Sequence, residues 1–126
     1  MSMLTFISKL LNTTFLSSES DKKEIVFKQR FVDLFFKERY FLHTDGTLQN
    51  MAFILNVSEP FLSNYILTNF QMEYPELCIR NRIEHFQAAM EDPKNSDIPI
   101  SSLIMGSGFE SVEKFKDSLH SDKPSL

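Results

Sequence analysis

Tryptophan is absent from the chain, and cysteine occurs once, at Cys78. A single thiol excludes an internal disulfide framework and points to a reducing compartment, so a cytoplasmic location is expected. Glycine is scarce as well: three residues in 126 are fewer than the tight turns of an all-β chain require. No apolar run reaches the length of a membrane-spanning helix, so no membrane partner is expected. Cations are outnumbered, 13 Lys and Arg against 17 Asp and Glu, and the net charge of −4 argues against an unspecific polyanion binder. Phenylalanine is abundant, with 13 residues that suggest a Phe-rich core. A chain of this length folds by default as one compact domain, needing neither disulfide nor metal to bury a core.

Residues 1–18 are mildly apolar, but Lys9 interrupts the stretch and no small-residue cleavage site follows, unlike a secretory signal. A short helix or frayed arm is expected there, with a polar break over residues 17–23. The expected organisation is therefore an N-terminal arm over 1–23 and a helical domain over 24–126.

Within that domain the apolar spacing is helical throughout. Phe27, Phe31, Leu34, Phe35 and Leu42 share one face of a helix over 24–42, which would stop at Gly46. Its simplest use is as a core helix, and its alternative use is a homodimer surface. Thr47 resembles an N-cap for a short helix carrying Leu48, Met51, Ala52 and Leu55. Asn56-Val57 forms a turn, since Asn tolerates the left-handed conformation. Ser58 caps the next helix, with Pro60 in its first turn and Phe61, Leu62, Tyr65 and Ile66 facing a core. A longer helix from about Pro75 to Met90 would bury Ile79, Ile83, Phe86 and Met90. After a loop over 91–97, Ile100, Leu103 and Ile104 mark a short helix. A Gly106–Phe109 turn and a last helix with Val112, Phe115 and Leu119 complete the chain.

This pattern repeats. Leu48, Met51, Ala52, Asn56 and Val57 match Ile100, Leu103, Ile104, Gly108 and Phe109 about 52 residues on, and Ser58, Leu62 and Ile66 match Ser111, Phe115 and Leu119 about 53 on. Each copy is a helix, a tight turn and a second helix, the plan in which the second helix enters a DNA major groove. The expected fold is all-α, with two helix-turn-helix units joined by a long linker helix.

These residues resemble the AraC/XylS family of bacterial transcriptional regulators over roughly residues 40–120. Thr47-Leu48 with Ala52 resembles the family's opening helix, and Val57-Ser58 with Leu62-Ser63 its turn and first recognition helix. Arg82-Ile83-Glu84 resembles part of its linker, and Gly108-Phe109-Glu110-Ser111 with Phe115 its second unit. Pro124-Ser125 resembles the closing motif. The resemblance implies a non-enzymatic regulator that binds double-stranded DNA across two successive major grooves. On this basis Ser58, Pro60, Ser63, Asn64, Arg82, Ser111, Glu113, Lys114 and Lys116 are the expected DNA-binding residues. Backbone amides at Ser58 and Ser111 would meet phosphates. Arg82 is also suited to a local ion pair with Glu76 or Glu84.

The sequence departs from the family in charge. No Lys or Arg occurs over residues 58–70, and Asn64 stands where the family often has Arg. Residues 47–126 hold six basic and eleven acidic residues, a balance of −5, against +1 for residues 1–46. The alternative function is therefore a degenerate helix-turn-helix module that binds protein. No cofactor is expected. Cys78 and His85, seven apart, offer zinc two ligands where it takes four. Gly106-Ser107-Gly108 lacks the Gly-Lys-Ser/Thr of a phosphate loop.

Overall fold

The computed structural model describes residues 19–121, and every regular element among them is helical. The expected arm over 1–18 and the Pro124-Ser125 motif lie outside the described residues. The chain divides into two units, Met1–Tyr40 and Phe41–Leu126.

In the first unit α1 spans Glu19–Val32. It starts within the expected polar break, because Lys and Glu are good helix formers and Lys28 pairs with Glu24 one turn away at 3.9 Å. The helix expected to continue to Leu42 instead changes character. Asp33–Lys37 forms a π turn, closed by the Glu38 amide donating to the Asp33 carbonyl at 2.8 Å. A π turn takes in one extra residue per turn, which swings Phe36 back toward Phe31. Their ring centroids lie 6.2 Å apart, and Phe35 and Phe36 meet edge-on at 4.9 Å. Phe31, Val32 and Phe35 are buried, while Phe27, Leu34 and Leu42 are half-buried. Arg39, at φ 57°, then takes the left-handed conformation, which ends the helical run before a 3-10 turn at Tyr40–Leu42.

Among the described residues the second unit has five α-helices, α2 (Leu48–Leu55), α3 (Glu59–Phe70), α4 (Tyr74–Glu91), α5 (Ile100–Met105) and α6 (Val112–Ser121), with a 3-10 turn at Pro93–Asn95. Packing follows chain order, α2 on α3, α3 on α4, α4 on α5 and α5 on α6. The helix boundaries have local causes. Thr47 Oγ1 accepts from the Asn50 amide at 3.0 Å and starts α2. Asn56, at φ 58° and ψ 45°, ends it, and the Val57 amide reaches back to the Ala52 carbonyl at 3.0 Å. Ser58 Oγ accepts from the Phe61 amide at 3.1 Å and starts α3, with Pro60 in the first turn. Gln71, also left-handed at φ 55°, ends α3.

The second helix pair repeats this chemistry. Gly106 (φ −67°) ends α5, and the left-handed residue of this turn, Gly108 (φ 95°), comes two residues later than Asn56 does after α2. Ser111 Oγ accepts from the Lys114 amide at 3.1 Å, as Ser58 does in the first pair.

α4 runs unbroken between the pairs and carries two inward stripes. Tyr74, Leu77, Cys78 and Asn81 are buried along one side. Ile79, Ile83 and Phe86 lie along the other, in a cluster with Ile104, Phe109, Phe115 and Val112. Phe115 meets Phe86 edge-on at 4.8 Å and Phe109 at 5.1 Å. The single stripe expected from the sequence was incomplete, because a helix packed on both α3 and α5 needs two apolar faces. Met90, expected in the core, lies past these contacts and is exposed, as are Ile100 and Leu119 on their own helices.

Candidate functional site

The residues expected to bind DNA all lie in the second unit, and the structure sorts them by exposure. On α3, Leu62, Tyr65 and Ile66 turn inward and are buried. The opposite arc holds Pro60, Asn64, Leu67 and Thr68, all exposed. Phe61 joins this arc: expected in the core, it is 50% exposed, because it sits at the margin of the apolar stripe centred on Leu62 and Ile66. Past Glu59 no residue of α3 carries an acidic or basic side chain.

Ser63 is placed differently from Pro60 and Asn64. It is half-buried and lines a cleft of about 480 Å³ with Gly46, Thr47, Tyr74, Cys78 and Arg82 among others. The cleft is tied by Tyr74, whose hydroxyl donates to the Gly46 carbonyl. Burial pushes the Cys78 thiol up from its ordinary pKa, outweighing a hydrogen bond with Tyr74 and the nearby charge of Arg82.

Arg82 is an internal fastener. Its Nε donates to the Phe41 carbonyl and its Nη2 to the His43 carbonyl at 3.3 Å. The local role expected for it is present, but its partners are backbone carbonyls rather than Glu76 or Glu84. Glu76 lies instead beside Arg80, one turn on, at 3.6 Å. Gly108 completes this junction. A Cβ added there would come within 3.0 Å of both Arg82 Nε and the Leu42 Cα. The guanidinium, the 41–43 backbone and the second turn therefore lock one another in place.

A second fastener was not legible in the sequence. His85 Nδ1 lies 3.0 Å from Ser107 Oγ, and that hydroxyl donates to the Leu103 carbonyl at 2.9 Å. A serine hydroxyl has one proton to give, so Nδ1–H is the donor to Ser107, and the imidazole bridges α4 to the end of α5. Nothing in the spacing of His85 and Ser107, 22 residues apart, announces this pair.

On α6, Glu113, Lys114, Lys116 and Asp117 are exposed, while Phe115 is buried. Ser118 is buried in place of the expected Leu119, since its hydroxyl donates to the Lys114 carbonyl at 2.9 Å and leaves no polar group unsatisfied. The two outward surfaces thus differ in kind: amide and apolar groups on α3, mixed charges on α6. Ser58 and Ser111 act as helix caps, with their hydroxyls committed to the Phe61 and Lys114 amides.

Among the described residues no cluster of three or more His, Cys, Asp or Glu side chains is placed to hold a metal ion. No helix among them is long and apolar enough to cross a membrane. Comparison of the chain with protein-family models, curated proteins and solved structures gave no significant match.

Proposed function

We propose that the protein is a sequence-specific DNA-binding transcriptional regulator of AraC/XylS type, with α3 and α6 as its recognition helices. The observation that carries this reading is the pair of like-capped helix pairs at the two ends of one continuous helix. Each turn contains one left-handed residue, Asn56 directly after α2 and Gly108 three residues past α5, and Ser58 and Ser111 cap the helices that follow. The 18 residues of α4 rise about 27 Å at 1.5 Å each. That is of the order of the ~34 Å between successive major grooves on one face of DNA. Pro60 and Asn64 would face one groove, and Glu113, Lys114 and Lys116 the next. Backbone amides at the starts of α3 and α6 would supplement the few side-chain phosphate donors.

Fluorescence anisotropy with duplex DNA at several salt concentrations tests this reading. Arg82 is occupied by backbone carbonyls, which leaves Lys114 and Lys116 on α6, with Lys123 outside the described residues, as phosphate partners. At about 0.9 per phosphate contact, log K should fall with log salt with a slope between about −2 and −3. Replacing Lys114 and Lys116 together by Ala should flatten the slope by nearly 2. Absence of binding to any duplex at low salt refutes the reading.

A second reading, a protein-binding module on the same scaffold, is favoured by one observation. Phe53 on α2 is 85% exposed and Leu67 on α3 is 50% exposed, on a unit whose sequence is acidic. A homodimer through residues 24–42 belongs to this second reading. Phe31 and Phe35 are buried, so such a dimer would draw on Val26, which is exposed, rather than on the phenylalanine stripe.

A further inference from the structure

The cleft beside Ser63 holds a charge that the fold does not neutralise. Arg82 forms no ion pair with any described residue. Its Nε and Nη2 each donate to a carbonyl, of Phe41 and His43. A guanidinium has five N–H groups. These two bonds leave the Nη1 end, with the second N–H of Nη2, as a fork that matches a carboxylate bidentately. Carbonyl dipoles hold the group in place but leave its unit charge without a counterion. That charge reaches the cleft, because it acts on the Cys78 thiol, which is buried and lines the same space.

The rest of the lining suits an organic molecule. The volume of about 480 Å³ falls within the range of about 300–1,000 Å³ of small-molecule sites. Leu48 and Ile79, both half-buried, supply apolar wall. Ser63 on α3 offers a hydroxyl with no hydrogen bond among the described residues. Thr47 Oγ1 accepts from the Asn50 amide and keeps its own proton to donate. One lining group repels an anion. Glu73 stands nine residues before Arg82, about 13 Å along the axis of α4. The cleft thus has a cationic end, an apolar wall and an acidic far end. That pattern suits one negative charge at the Arg82 end and disfavours a second toward Glu73.

We infer that this cleft binds a small organic monoanion, with its carboxylate in the fork of Arg82 and a compact apolar body along Leu48 and Ile79. The walls belong to the start of α2, to α3 and to α4, so the ligand ties α3 to α4 beside Ser63, behind the outward Asn64. This goes beyond the DNA-binding reading and does not rest on it.

NMR titration of the isotope-labelled full chain, at constant ionic strength and without DNA, tests the site with three probes. Cyclohexanecarboxylate and cyclohexanecarboxamide share a body and differ in charge, and trans-cyclohexane-1,4-dicarboxylate adds a second anion. The monocarboxylate should saturably shift the backbone amides of Thr47, Leu48, Ser63 and Ile79 and the Nε–H of Arg82. It should bind about tenfold more tightly than the amide, since charge-assisted hydrogen bonds are the stronger ones. The dicarboxylate, with its second charge directed toward Glu73, should bind less tightly than the monocarboxylate. Arg82→Gln should lower the affinity for the monocarboxylate to that for the amide. Because the three probes are compared on the unaltered protein, a folding defect in Arg82→Gln does not obscure the result. No saturable shift up to about 50 mM monocarboxylate, equal affinity for monocarboxylate and amide, a dicarboxylate that binds as tightly, or shifts confined to Lys114 and Lys116 overturns the inference. None of these outcomes bears on the DNA-binding reading, which stands or falls on the duplex titration.

Discussion

At Gly108 two demands coincide: a backbone at φ 95°, and a space where a Cβ would sit 3.0 Å from both Arg82 Nε and the Leu42 Cα, so that its neighbours would have to give. Gly106, two residues earlier, has φ −67°, and its nearest neighbour for an added Cβ is a carbonyl at 3.3 Å. Gly108→Ala should therefore destabilise the protein by more than about 1 kcal/mol, and Gly106→Ala by clearly less. Urea denaturation midpoints compare the two, and equal midpoints would remove Gly108 from the junction. Asn56 meets the conformational demand in the first helix pair without glycine, because its turn takes φ 58°, within the range asparagine tolerates. Cys78 supports a second prediction at this scale. Burial raises its folded pKa above the ordinary value of 9.0. The neutral thiol is favoured in the folded state, so this contribution to stability is fully present below the unfolded pKa and declines as pH rises through it toward the folded value. A thiol-reactive dye at pH 8 should label the native protein far more slowly than the urea-unfolded chain. Comparable rates would show that the side chain is accessible.

Among the elements, α3 gives the sharpest separation of faces. Leu62 is fully buried and Asn64 is exposed. Leu62→Asp places a carboxylate in an apolar site at a cost of several kcal/mol, a large part of a total stability of about 5–15. It should abolish the cooperative thermal transition seen by circular dichroism, while Asn64→Ala should leave the melting temperature nearly unchanged. A cooperative melt of Leu62→Asp at the parent temperature would contradict the assignment of faces.

The helices of the second unit were legible because their ends are written locally. Thr47 and Ser58 are caps, Asn56 is a turn residue, and Pro60 sits where its missing amide costs nothing. Features set by neighbours were not legible. Periodicity assigned α4 one buried stripe, whereas packing on two helices gave it two, with Leu77, Cys78 and Asn81 on the stripe that spacing alone did not reveal. In the first unit, a run of aromatics read as a continuous helix contains a π turn and ends at a left-handed Arg39, neither of which has a distinctive residue signature. Of the candidate interface residues, Asn64, Lys114 and Lys116 are exposed, as their spacing from the apolar stripes implies. Phe61 was assigned to the core, since a residue at the edge of an apolar stripe is placed by what packs beside it.

For the whole molecule, charge and spacing pull in different directions. An acidic second unit offers DNA little long-range attraction, so on the proposed DNA-binding reading affinity would have to come from short-range contacts made at two places together. Simultaneous contact would then depend on α4 as a spacer and on the fasteners that hold its surroundings, Arg82 to the Phe41 and His43 carbonyls and His85 to Ser107. Two weak recognition surfaces at a fixed distance would gain from each other only where their half-sites face the same side of the duplex.

The most direct test of this arrangement is an anisotropy titration on a selected duplex and on the same duplex with half a helical turn, about 5 bp, inserted between its half-sites. The insertion turns the second half-site to the far side of the DNA without altering any contacted base. The account predicts that affinity falls to that of a duplex carrying one half-site alone. Unchanged affinity after the insertion would contradict it, because the two recognition helices would then not be acting through a fixed spacing.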